Sequence, residues 1–82
     1  MSAALTSRQL EFLSLTAQGM QRTQIAKHCF VAPATVSTTL ALTRQRLGAR
    51  TLPQAIAIAI RSDLLVLGPD GITFVANDSL AP

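Results

Sequence analysis

The chain is poor in several things at once. Across 82 residues it has one cysteine, no Trp or Tyr, three Phe and 13% charged residues, about half the ~25% charged fraction usual for soluble domains. One thiol excludes an internal disulfide framework, and Cys29 with its neighbour His28 falls short of the four ligands a structural zinc site needs. Cys29 is therefore read as a small interior hydrophobe. The longest apolar run covers residues 55–60, far below the roughly 18 residues that span a bilayer. Met1–Ser7 carries neither Lys, Arg nor an apolar block, so a signal peptide is not expected and the protein reads as cytoplasmic, without a membrane partner. Also missing are a nucleophile–base pattern, a motif with paired carboxylates, a glycine-rich phosphate loop and a metal cluster. An enzyme, a cofactor and a metal are accordingly not expected.

What is present is a net charge of +3 and an apolar fraction of 49%. The length suits one small domain, with no room for a receiver or ligand-binding domain beside it. A chain this short buries only roughly 60% of its unfolded surface. With so few charges, part of the outside must be apolar, and an oligomer or a docking face is expected.

Helical punctuation runs through the first 65 residues. Thr6 is placed to cap a helix while Gln9 reaches back to its amide, and Leu5 and Leu10 stand at the two positions of a hydrophobic staple. Leu10, Leu13, Ala17 and Met20 recur at helical spacing, Phe12 widens the stripe, and Gly19 is a stop signal. This predicts a helix over residues 7–18. From Arg22, Ile25, Ala26 and Cys29 fall on one face of a helix of about two turns, with Arg22, Thr23 and Lys27 on the other. Phe30-Val31-Ala32 then leads to Pro33, which suits the first turn of a helix because its missing N–H would have no partner there. Two helices joined by a turn this short are spaced as in a helix-turn-helix.

The segment from Pro33 to Leu47 repays angular arithmetic at about 100° per residue. Val36, Leu40, Thr43 and Leu47 form one inward stripe, and Ala34, Thr38, Ala41 and Gln45 lie opposite. Ser37 and Arg44 flank that outer face on one edge, Thr35 and Arg46 on the other. Solvated helix faces normally favour long Glu, Lys and Arg side chains. Short side chains here let the backbone approach something closely, and a major groove admits one helix, with hydroxyls and an amide for base edges and arginines for phosphates.

Gly48 is read as the next stop, Thr51 as a cap and Pro53 as a first-turn residue. The alternation of Ala and Ile over residues 55–60 also suits a strand. As a helix, it lines Leu52, Ile56, Ile60 and Asp63 along one side and brings Ile58 out nearly opposite. A helix apolar on two sides can pack on its own domain and on a twin, so Leu52, Ile56, Ile58 and Ile60 are the expected dimer interface. Beyond residue 65, Leu65–Leu67 and Ile72–Val75 read as short β segments around Gly68-Pro69-Asp70-Gly71, followed by a frayed tail, Ala76–Pro82. The expected fold class is all-α, a domain at residues 1–65 with a hairpin-like extension at 66–82. That extension is expected to cover the core; a protein-docking edge is the other possibility.

The order Leu5-Thr6-x-Arg8-Gln9-x-Glu11-Phe12-Leu13, then Ala17-x-Gly19-Met20, Gln24-Ile25-Ala26, Thr35-Val36 and Leu47-Gly48, resembles the LuxR-type (NarL/GerE-like) helix-turn-helix domain. The likeness covers about residues 5–65. It implies a four-helix DNA-binding module whose third helix enters the major groove and whose fourth helix forms a symmetric homodimer on a pseudo-palindromic site. By position, Ala34, Ser37, Thr38 and Ala41 would face bases, while Arg22, Thr23, Thr35, Arg44 and Arg46 would hold phosphates. Four positions depart from the family pattern: Gln24 stands where Glu is usual, Ser37 for Lys or Arg, Thr39 for His, and Phe30 where a turn Gly is frequent. The third helix is thus expected to contribute less positive charge, and with Phe30 at a position that favours left-handed geometry the turn is expected to differ locally from the family's.

Two functions follow as expectations. One is a DNA-binding transcriptional regulator associated with the nucleoid, acting as a homodimer. The other is a truncated relative that pairs through Ile56, Ile58 and Ile60 with another transcriptional regulator and disables it without binding DNA.

Overall fold

Four helices and a hairpin follow one another in the order the sequence suggests: α1 Ser7–Ala17, α2 Arg22–Cys29, α3 Pro33–Arg46, α4 Leu52–Arg61, β1 Leu65–Gly68 and β2 Gly71–Phe74. The computed structural model describes residues 5–68 and 71–74. Val75 and the tail expected at 76–82 lie outside the described residues, as do residues 1–4.

The start of α1 is the capping box read from the sequence. Thr6 is extended (φ −75°, ψ 161°); its hydroxyl accepts the Gln9 amide at 3.1 Å while Gln9 Oε1 accepts the Thr6 amide at 2.9 Å. Leu5 and Leu10, the staple pair, are both buried. At α2, Gln24 Oε1 accepts the Gln21 amide at 2.8 Å.

All four helices close in the same way. A residue at positive φ follows each one: Gly19 (96°), Phe30 (58°), Gly48 (71°) and Asp63 (60°). The amide after it then returns to the helix. Met20 N–H donates to the Leu15 carbonyl, Val31 to Ala26, Ala49 to Arg44 and Leu64 to Ala59, at 2.8–3.1 Å. The sequence marks two of these stops by glycine. At the end of α2 the phenylalanine itself adopts the left-handed geometry (φ 58°, ψ 45°).

The core gathers Phe12 and Leu13 from α1, Ile25 and Ala26 from α2, Val36 and Leu40 from α3, Ala49 from the loop, Ala55 and Ala59 from α4 and Leu65 from β1. Two hydroxyls go inside with it. Ser14 Oγ donates to the Glu11 carbonyl at 2.8 Å and Thr43 Oγ1 to the Thr39 carbonyl at 2.7 Å, so neither is buried unsatisfied. Cys29 is half-buried against this core rather than fully inside it.

The Ala/Ile alternation forms a helix, and its phase differs from the one expected. Ala55 and Ala59 are the residues turned fully inward, while Leu52, Ile56, Ile58 and Ile60 are half-buried on both flanks of that alanine seam. Asp63 is not on the helix but in the closing turn, exposed. Small side chains at the seam let α4 lie close against α1 and α3, and the larger isoleucines then wrap the contact from either side.

The two strands pair antiparallel with Leu65 opposite Phe74, Val66 opposite Thr73, Leu67 opposite Ile72 and Gly68 opposite Gly71. β1 packs on α4 and β2 on α1. An isolated two-stranded hairpin is marginal, and burial of Leu65 in the core supplies what this one needs.

Candidate nucleic-acid interface

The helix-turn-helix is held from behind. Ile25 and Ala26 of α2 and Val36, Leu40 and Thr43 of α3 sit in the core, each 3% exposed or less. That fixes which faces point away. On α3, Ala34, Thr38, Leu42 and Arg46 are all exposed and follow one another at intervals of four, a single ridge along the outside. Thr35 and Gln45 are exposed beside it.

This ridge both agrees with the sequence reading and shifts it. Ala34 and Thr38 are exposed, while Ser37 and Ala41, expected on the outer face with them, are half-buried at the margin. Leu42, which is 48% exposed, takes a place on the outer surface that the arithmetic centred on Ala34, Thr38, Ala41 and Gln45 passed over. The sequence carries this in the fourfold step from Thr38 through Leu42 to Arg46.

The expected phosphate-facing residues divide in two. Arg22 and Thr23 are exposed at the start of α2, Thr35 in the first turn of α3 and Arg46 in its last. Arg44 is half-buried, and its Nη1 donates to the carbonyls of Ala49 and Arg50 at 3.1 and 3.5 Å. It braces the loop between α3 and α4. That loop is tied down again by Gln54, whose Oε1 accepts the Arg50 amide at 2.7 Å while its own amide donates to Thr51 Oγ1 at 3.2 Å.

Charge is unevenly spread. Arg22, Lys27, Arg44, Arg46, Arg50 and Arg61 all fall between Glu11 and Asp63, and no carboxylate residue lies between those two. The helix-turn-helix and the fourth helix are thus positively charged with no carboxylate of their own to offset it. At its start α3 has Pro33 in the first turn and no capping side chain on Ala32, so its amide end is not closed by a side-chain acceptor.

Among the described residues no three His, Cys, Asp or Glu side chains gather as a metal site requires, and no helix is long and apolar enough to cross a membrane. The family model for bacterial regulatory proteins of the luxR family matches residues 3–59. The chain belongs to the luxR family. Its four-helix, helix-turn-helix architecture is that of a DNA-binding regulatory domain, and the family is one of regulators rather than enzymes. A comparison with curated proteins returns no match. Within this luxR-family chain the matched region stops inside α4, so the hairpin at 65–74 lies beyond it.

Proposed function

We propose that this luxR-family chain is a sequence-specific transcriptional regulator that binds duplex DNA as a homodimer, with α3 in the major groove. The observation that carries this reading is the outward ridge Ala34, Thr38, Leu42 and Arg46 on a helix whose opposite side is the protein core. Short side chains on the ridge allow close approach. The Thr38 hydroxyl can meet a base edge, Leu42 offers an apolar contact to a thymine methyl, and Ser37 and Ala41 line the margin. Arg46, Thr35, Thr23 and Arg22 would fix register on phosphates, with the uncapped start of α3 as a further anion-facing group. Arg44 would contribute both a cation and the brace that holds the α3–α4 loop.

The homodimer would form through α4. Leu52, Ile56, Ile58 and Ile60 keep part of their surface outside after packing on the core, so a second copy has apolar area left to cover. Two such domains related by a twofold axis would read half-sites about 34–36 Å apart. The working place of such a protein is the nucleoid, in the cytoplasm.

Selection from a randomised duplex pool, followed by binding of the recovered duplex over a range of salt and sedimentation of the free and bound protein, tests the reading. Enrichment of a pseudo-palindrome and a complex of two chains per duplex are expected. A protein that shifts no duplex even in dilute salt would overturn it and favour pairing with another regulator instead.

A further inference from the structure

Three of the four helices close on residues suited to left-handed backbone, Gly19, Gly48 and Asp63; the fourth closes on Phe30. A phenylalanine there is strained by the clash of its Cβ with the backbone. The ring recovers nothing inside the molecule, since Phe30 is 94% exposed whereas Phe12 is fully buried. The next residue, Val31, is half-buried against the core and its amide is bonded to the Ala26 carbonyl at 3.0 Å. The turn is therefore anchored through Val31, and it leaves the phenyl group exposed. Backbone strain kept beside an exposed aromatic points to a use outside the folded monomer.

We propose that Phe30 is a DNA-contacting, specificity-determining side chain, its ring lying on the sugar edge and thymine methyl of a nucleotide flanking those that α3 meets. This rests on the reading of α3 as the groove helix. Phe30 stands three residues ahead of Pro33, the start of α3, and four ahead of Ala34, the first residue of the outward ridge. Its surroundings select the occupant. Lys27 and His28 in the last turn of α2, and Arg22 in its first, are exposed, and the Glu11 carboxylate, which lies near Cys29, is paired with Arg8 at 3.7 Å. A polyanion is matched by such a surface; an apolar ring within it finds its apolar partner in deoxyribose and the thymine methyl group.

The test uses the duplex selected by the parent chain and two variants that tolerate left-handed backbone, Phe30→Gly and Phe30→Asn. Both are expected to melt at or above the parent temperature, because the strain is relieved. Both should nevertheless bind about tenfold more weakly, the loss of a partly covered ring, with the salt dependence of binding unchanged because no phosphate contact is removed. Phe30→Tyr should bind as the parent does, and a duplex carrying 5-iododeoxyuridine beside the half-site should photo-crosslink to the Phe30 peptide. If the parent binds and the Gly and Asn variants bind equally well, this inference fails and the α3 reading stands. If the parent binds no duplex, both fall together.

Discussion

The phase of α4 is the feature on which sequence and structure part most sharply, and a matched pair of substitutions measures it. Ala59 is fully buried in the seam and Ala57, two residues earlier on the same helix, is exposed. Replacing either with valine carries the same helix-propensity penalty, about 0.5 kcal/mol. At Ala59 two further carbons enter a packed interface with α1 and α3, and overpacking of that kind costs about 1–3 kcal/mol. An 82-residue domain has roughly 4–12 kcal/mol of total stability, so both variants should fold. For a domain of this size each kcal/mol displaces the melting temperature by about 4–8 °C, which places A59V about 4–24 °C below A57V. Thermal unfolding followed by circular dichroism at 222 nm reads the difference directly. Equal melting temperatures for the two variants would refute the alanine seam.

Other expectations follow from the interface. Arg46→Ala should weaken binding to every duplex by a similar factor and reduce the salt slope by about one unit, and a salt titration showing the parent slope would contradict this; Arg44→Ala should lower the melting temperature, because it removes the brace to Ala49 and Arg50, worth roughly 0.5–1.5 kcal/mol, and a melting curve matching the parent's would show the brace to contribute nothing. Thr38→Ala should leave the melting temperature within about 4 °C of the parent and relax the preference at one base pair, as read by repeating the selection; an unchanged consensus would take Thr38 off the reading face. Burial, aided by the nearby Glu11 carboxylate, pushes the Cys29 thiol above its ordinary pKa. At neutral pH the native protein should therefore react with iodoacetamide more slowly than the unfolded chain, the rate climbing as pH rises past the usual thiol range. Equal rates in the two states would show the thiol to be free of that environment.

Much of the architecture is legible along the chain because it rests on local chemistry. Thr6 with Gln9, Thr51 with Gln54, and prolines 33 and 53 in first turns all act within four residues, so their geometry hardly depends on what lies elsewhere. The inward stripe Val36, Leu40 and Thr43 is equally plain, since helical periodicity alone brings those residues together. The family likeness drawn from Leu5–Leu13 onward rests on the same residues, and the matched region confirms it.

Where periodicity is degenerate, only the tertiary structure decides. Alternating Ala and Ile offers two helical faces of similar hydrophobicity, and closeness of approach between helices chose the small alanines for the seam. Phe30 is left-handed because closing α2 and seating Val31 in the core demand that geometry of whichever residue stands there. Local sequence determined where the helices begin, how they are capped and which face of α3 is buried; packing between distant elements determined how α4 is rotated, which arginine braces and which points away, and where an aromatic ring is left in the open.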